Sequence, residues 1–255
     1  MFKQKNRNGI IVVAILVLSL LISITALAFA IPAAIHKCPA GERWAVTEDQ
    51  HYQCIPDYSC GPGDEVCADK PIIYLYPTSE TKVSVKLSHP ENITAQYPDY
   101  NNGWNVIAQP NGDLREVGTG RELYALYYES RNIVPTQRQT DGFVIKSAAT
   151  AEFLQQILPK LGLNARESEE FIVYWLPVLQ QNKWNYIRFL TADEIDANQK
   201  LTVSPAPDTV IRVWMSYEPL NKPISVKPQQ INIPARQGFI VVEWGGTRIS
   251  EKATR

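Results

Sequence analysis

The ten residues RELYALYYES, 121–130, carry apolar side chains on both faces of an extended chain: Leu123, Ala125 and Tyr127 on one, Tyr124, Leu126 and Tyr128 on the other. A strand of that kind lies inside a pair of sheets or beneath a helix, because neither face can be left to water. Upstream, 82–87 (KVSVKL) alternates Val83, Val85 and Leu87 with Lys82, Ser84 and Lys86, a half-buried strand with one wet face. The run before it, 72–76 (IIYLY), stops at Pro77. Asn102-Gly103 and Asn111-Gly112 are hairpin signals and predict a meander of strands over 92–100, 103–109 and 113–117.

Downstream, 142–146 is a further short strand, and a helix pair follows. Thr150 can cap a helix to Leu161, shortened by Pro159 and left at Gly162. Asn164, three residues before Glu167, starts a second helix with a capping box. Phe171, Tyr174, Trp175, Val178 and Leu179 carry it to Gln180 despite Pro177, and Ile172, Val173 and Leu176 fill its other side, so it should be almost wholly buried. Strands resume at 186–190, 209–217 and 239–244, and the tail from Arg248 looks frayed. The order of strands, helix pair, strands predicts an α+β domain of antiparallel, β-sandwich-like sheets with an inserted helix pair.

A chain of 255 residues with 45% hydrophobic content can bury the core of one generous domain. Its 25 basic and 26 acidic residues exclude a polycationic nucleic-acid binder. The balance hides an asymmetry. Lys3, Lys5 and Arg7 stand without an acid in the first 35 residues, which leaves 22 basic against 26 acidic groups in the rest. Residues 10–31 form a run of 22 without a charge, ended by Pro32. At about 1.5 Å per residue the run spans roughly 33 Å, enough for a hydrocarbon core of roughly 30 Å. The positive-inside rule puts 1–9 in the cytoplasm and the body outside. Ala28-Phe29-Ala30 has the form of a signal-peptidase site, so the segment is either a retained anchor or a signal cleaved near Ala30.

Cys38, Cys54, Cys60 and Cys67 fall within 30 residues, with no C-x-x-C, and in an exported chain they read as two disulfides. Cys38–Cys54 with Cys60–Cys67 is the preferred pairing, because 43–46 and 51–53 could form a hairpin whose ends meet. The expected organisation is a stub (1–9), a membrane or signal segment (10–35), a disulfide-stapled neck (36–68), an α+β ectodomain (69–247) and a flexible tail (248–255).

Motifs for chemistry are mostly lacking. There is no G-x-G-x-x-G, P-loop, H-E-x-x-H or G-x-S-x-G, so no cofactor and no metal is expected. The histidines are His36, His51 and His89, so a Ser-His-Asp or Cys-His mechanism in the body would have to borrow His89 and is not expected. Ser79-Glu80-Thr81-Lys82 matches S-x-x-K but runs into the alternating strand, so it reads as a turn. Asp99, Asn101 and Gly103 imitate the start of a calcium loop, yet Trp104 and Pro110 stand where its glycine and terminal glutamate belong.

Three charges interrupt apolar strands: Arg188 in YIRFL, Arg212 in VIRVWM and Glu243 in VVEWGG. Left buried alone, such a charge costs several kcal/mol. Glu243 is therefore expected to pair with Arg212 or Arg188, with Arg212 within its reach, unless these charges lie on an outward-facing strand surface. Otherwise Glu243 and Asp208 form the acids of a polar cleft, with Arg188 and Arg212 gripping a ligand. Tyr74, Tyr76, Tyr97, Tyr100, Tyr124, Tyr127 and Tyr128, with Trp104, are core aromatics or a stacking platform for sugars or peptides.

KPIIYLYP (70–77), YNNGW (100–104), EFIVYWLP (170–177), DTVIRVWM (208–215) and VVEWGG (241–246) resemble the landmarks of an uncharacterised family of mainly bacterial, exported proteins. The resemblance covers about residues 70–246 and implies a bacterial setting. It implies no activity, fold or catalytic residue. The residues read best as a single-pass, membrane-anchored cell-surface protein with an extracytoplasmic binding or structural module, its partner a cell-surface glycan or protein. The alternative is an extracytoplasmic, carboxylate-dependent hydrolase of cell-wall or other glycans.

Overall fold

The computed structural model describes residues 42–46, 52–56, 67–131, 137–232 and 235–249, with side chains from residue 69 onward. The chain divides into two units, Met1–Tyr58 and Ser59–Arg255. In the first, β1 (Glu42–Val46) and β2 (Tyr52–Pro56) pair antiparallel with Trp44 opposite Cys54, the hairpin expected of the neck. The run 10–31, residues 1–9, the cysteine side chains on which the expected disulfides depend and residues 250–255 lie outside the described residues. Among the described residues no helix is long and apolar enough to cross a membrane.

The second unit is mixed α+β and mostly β. In chain order it runs β3 (Cys67–Tyr76), β4 (Thr81–Leu87), β5 (Ile93–Tyr97), β6 (Trp104–Ala108), β7 (Leu114–Glu116), β8 (Glu122–Leu123), β9 (Leu126–Arg131) and β10 (Asp141–Lys146). Helices α1 (Thr150–Ile157) and α2 (Ala165–Gln180) follow, then β11 (Trp184–Phe189), α3 (Ala192–Asp196), β12 (Leu201–Ser204), β13 (Thr209–Leu220), β14 (Lys227–Pro228) and β15 (Ile240–Arg248). One sheet has the order β14-β10-β11-β13-β15-β3-β9-β5, the other β12-β4-β6-β7-β8.

The segment 121–130 is not one strand. It bends at Tyr124-Ala125, so β8 ends the five-stranded sheet and β9 enters the eight-stranded one. Its two apolar faces serve two sheets in succession. The Asn102-Gly103 signal likewise marks a change of sheet between β5 and β6, whereas Asn111-Gly112 turns the chain between the paired strands β6 and β7. The sheets are not purely antiparallel either: β13 and β15 run parallel in the middle of the larger sheet, and β10 pairs β14 in parallel. Parallel neighbours need a long connection, and residues 221–239 supply it without a strong periodicity that would have announced it. Strand β12, where Leu201 and Val203 alternate with Thr202 and Ser204, and the short α3, opened by a capping box of Thr191 with Glu194, were not among the expected elements although both carry a local signal. Arg248 and Ile249 belong to the sheet rather than to a tail, since the Ile249 amide donates to the Tyr217 carbonyl at 2.8 Å.

One core lies between the sheets. Val83, Val85 and Leu87 of β4, as their alternation requires, meet Ile73, Leu75, Leu126, Trp214 and Val241 of the larger sheet. A second core lies between that sheet and the helices, where Ile72, Tyr74, Val242 and Trp244 meet Leu154, Phe171, Trp175 and Leu179. Thr150 is not a cap: Ala149 holds that position without a side-chain bond, and the Thr150 hydroxyl is buried with no partner among the described residues. Pro159 opens a tight turn that Gly162 leaves at φ 89°. The capping box of α2 forms as expected, Asn164 Oδ1 accepting from the Glu167 amide at 2.9 Å and Glu167 from the Asn164 amide at 2.7 Å. Helix α2 is one-sided rather than wholly buried, with Val173 75% exposed. That exposure explains why Pro177 is tolerated, because water can reach the Val173 carbonyl that Pro177 cannot bond.

Gly246 sets how closely α2 approaches the sheet. A Cβ there would lie 2.5 Å from the Trp175 ring and 2.8 Å from the Met215 carbonyl. Gly246→Ala should cost about 1–3 kcal/mol in denaturant unfolding. In a double-mutant cycle Trp175→Phe should relieve part of that cost; strict additivity would mean the ring is not the obstacle.

Candidate functional site

Arg212 and Glu243 are direct partners in the parallel register of β13 and β15, and their side chains point into the core between the sheets. Arg212 Nε donates to Glu243 Oε2 at 2.6 Å, Trp214 Nε1 donates to the same oxygen at 2.9 Å, and the Tyr128 hydroxyl donates to Oε1 at 2.8 Å. Glu243 is 0% exposed, and the Arg212 side chain 4%. The rest of the guanidinium bonds the Asp196 carboxylate and the Gln199 carbonyl. Burial works against the charge on Arg212, yet the facing Glu243 carboxylate holds its pKa above the ordinary value. Burial and the same carboxylate push the Tyr128 phenol well up, so it remains a donor. This is an internal ion pair with its hydrogen bonds satisfied.

Arg188 takes no part in it. Its Nε bonds Asp141 at 3.1 Å and its Nη1 bonds Glu194 at 3.0 Å. Asp208 is exposed and accepts from the Phe239 amide at 2.7 Å. Phe239 precedes Glu243 by four residues, so Asp208 stands about 13 Å from it along the strand at roughly 3.3 Å per residue. That exceeds the roughly 5–10 Å that two cooperating glycosidase acids require. The structure therefore does not bring Glu243 and Asp208 into one cleft.

The aromatic residues divide by sheet face. Trp104, Tyr100 and Tyr128 fill the core between the sheets, Trp104 donating through Nε1 to the Pro98 carbonyl at 2.8 Å. On the helix side stand Tyr74 and Tyr76, stacked at 6.4 Å, together with Tyr127, which opposes Tyr97 in the β5–β9 pairing. Tyr74 is buried and fully bonded, its hydroxyl donating to Glu170 at 2.6 Å and accepting from Trp244 Nε1 at 3.1 Å. Tyr76 is held between Arg236, 5.3 Å from its ring, and Gly112, where a Cβ would strike the ring at 2.6 Å. Both are structural.

The accessible rings lie farther along this face. Tyr97 is 51% exposed and Tyr124 49%. Arg121 lies 5.5 Å from the first ring, and Arg166 4.9 Å from the second. Along α2, Arg166, Glu170 and Tyr174 recur every four residues and form one stripe that meets this face. Arg166 covers Tyr124, Glu170 bonds Tyr74 and pairs with Arg166 at 3.0 Å, and Tyr174 lies under the Lys70 ammonium at 4.6 Å. The Tyr127 hydroxyl donates to Glu129 at 2.5 Å. Asp69 neighbours Glu129, and burial, then that carboxylate, pushes its pKa up to about 7. These tyrosines, the two arginines and the carboxylates Glu170, Glu129 and Asp69 lie along the helix side of the sheet as one shelf, on which Tyr97 and Tyr124 are the half-exposed rings.

No family model, curated protein or solved structure matches this chain. Geometry alone must therefore carry the reading. Among the described residues no three His, Cys, Asp or Glu side chains gather as metal ligands. Sequence reasoning missed Asp69, Glu129, Arg166, Glu170 and Tyr174. The spacing of the last three was visible, but nothing local showed that Asp69 and Glu129 would become neighbours.

For the internal pair, Glu243→Gln should destabilise the fold by about 3 kcal/mol, since the buried Arg212 then keeps only the half-exposed Asp196 as counter-ion. Adding Arg212→Met should recover part of the loss in denaturant unfolding. A surface-like loss below about 1 kcal/mol would mean the pair is hydrated.

Proposed function

We propose that this chain is an extracytoplasmic, membrane-anchored protein whose sandwich-like α+β ectodomain binds glycan on the tyrosine shelf. The anchor is supported by the uncharged run 10–31 behind a basic stub, and export by the four clustered cysteines. The observation that carries the ligand class is the pair of half-exposed rings, Tyr97 and Tyr124, each beside an arginine. A pyranose presents an apolar face that stacks on such rings and hydroxyls that bond guanidinium and carboxylate groups. A second reading, a carboxylate-dependent glycan hydrolase, draws on the adjacency of Asp69 and Glu129, one of which can hold a proton near neutrality.

An alkaline phosphatase fused after Arg255 should be active and should stay with the membranes after carbonate extraction. Activity in the soluble fraction would indicate cleavage near Ala30, and an inactive fusion would overturn export. The full-length chain in detergent should be retained on insoluble peptidoglycan. Tyr124→Ala and Tyr97→Ala should each weaken retention about tenfold, the equivalent of about 1.4 kcal/mol. Val210→Ala, at an exposed site elsewhere, should change nothing. Equal retention by all three variants would remove the shelf as the binding surface, and release of soluble sugar that Asp69→Asn abolishes would favour the hydrolase.

A further inference from the structure

Strand β3 loses register with both of its neighbours near the same place. Its pairing with β9 shifts between Ala68 and Ile72, and its pairing with β15 shifts between Trp244 and Gly246. Lys70, in the middle of the irregularity, takes the left-handed conformation at φ 52°, which a side chain other than glycine or asparagine seldom adopts. The bulge turns Asp69 toward the helix side of the sheet. There it is partly buried, with no hydrogen-bond or ion-pair partner among the described residues.

The groups around Asp69 come from every neighbouring element. Glu129 and Tyr127 face it from β9, with Arg131 one step farther along and opposite Cys67. Tyr174 faces it from α2 and Tyr217 from β13, while Arg248 of β15 lies opposite Tyr217. Lys70, on its own strand, places its ammonium over the Tyr174 ring. The Tyr127 proton already goes to Glu129. Burial pushes the phenols of Tyr127, Tyr174 and Tyr217 upward, that of Tyr217 to about 12, so none of them takes on a charge near neutrality.

We infer that Asp69 beside Glu129 forms a proton-linked latch: while Asp69 is neutral the bulged start of β3 rests against β9, and loss of that proton sets two carboxylates against each other and opens that end of the ladder. The latch goes beyond the glycan reading and does not depend on it. The sign follows from linkage. Asp69 binds its proton more tightly folded, near pH 7, than unfolded, near 3.8, so its contribution to stability is complete below about pH 4. It declines as pH rises toward 7 and levels off above. Asp69 lies two residues after Cys67, at the first strand of the ectodomain sheet, so the opening acts where the chain enters that sheet.

Thermal unfolding of the full-length chain in detergent, from pH 5 to 8.5, tests the latch without any glycan. The wild-type midpoint should fall by roughly 5 °C across the range. Asp69→Asn should flatten the profile and unfold above wild type at pH 8. Glu129→Gln should make the decline shallower, because the like charge is gone while the burial stays. Amide exchange corrected for its intrinsic pH dependence should rise from pH 6 to pH 8 mainly in residues 67–72 and 126–131. An unchanged slope in Asp69→Asn overturns the role of that carboxylate, an unchanged slope in Glu129→Gln overturns the pairing, and a uniform rise in exchange overturns the local opening. A Tyr124→Ala variant that loses glycan yet keeps the pH profile would separate the two proposals.

Discussion

The ion pair between Arg212 and Glu243 is the constraint on which the architecture rests. Two opposite charges buried between sheets tolerate only an arrangement that keeps them in contact with all hydrogen bonds made. Here that arrangement sets one parallel register, because a slip of one residue between β13 and β15 would turn one charge out of the core. Tyr128 from β9 and Trp214 from β13 donate to the same carboxylate, so three strands of the larger sheet are indexed to one oxygen pair. Asp196 and Gln199 extend the index to the segment that leads into the smaller sheet.

Around this centre the apolar packing is ordinary in kind and specific in detail. The larger sheet is buried on both faces, by the smaller sheet on one side and by α1 and α2 on the other. Glycine at position 246 lets the Trp175 ring rest on the backbone, which brings the α2 stripe of Arg166, Glu170 and Tyr174 down to the tyrosines of β3 and the bend before β9. The shelf is thus a by-product of close helix packing next to an edge strand, and its exposed rings mark where that packing ends.

What could be read without coordinates was either local or forced by cost. The alternation at 82–87 and the box of Asn164 with Glu167 need only neighbours in the chain, and both form as expected. The meeting of Arg212 and Glu243 is long-range, but a charge in an apolar strand leaves few alternatives. The parallel pairing of β13 with β15 had no local mark, since the connection 221–239 carries neither helix nor strong alternation. The tyrosines were misgrouped for a related reason. Parity along one strand would put Tyr124 beside Tyr128, but the bend at 124–125 resets it and sends Tyr124 to the helix side, under Arg166. Arg236, which clamps Glu167 and stacks on Tyr76, comes from an irregular loop that no periodicity could have placed.

The position of β15 has a consequence for how the molecule is made. This strand, nearly the last segment of the chain, sits in the middle of the eight-stranded sheet, between β13 and β3. A chain delivered from its N-terminus can assemble β3 with β9 and β5, and separately β10 with β11 and β13. Until residue 248 has emerged, the two halves each present a long, apolar, unpaired edge. The fold is therefore closed at its centre only once β15 is available, and a chain that stops before Ile240 lacks the strand that joins the halves.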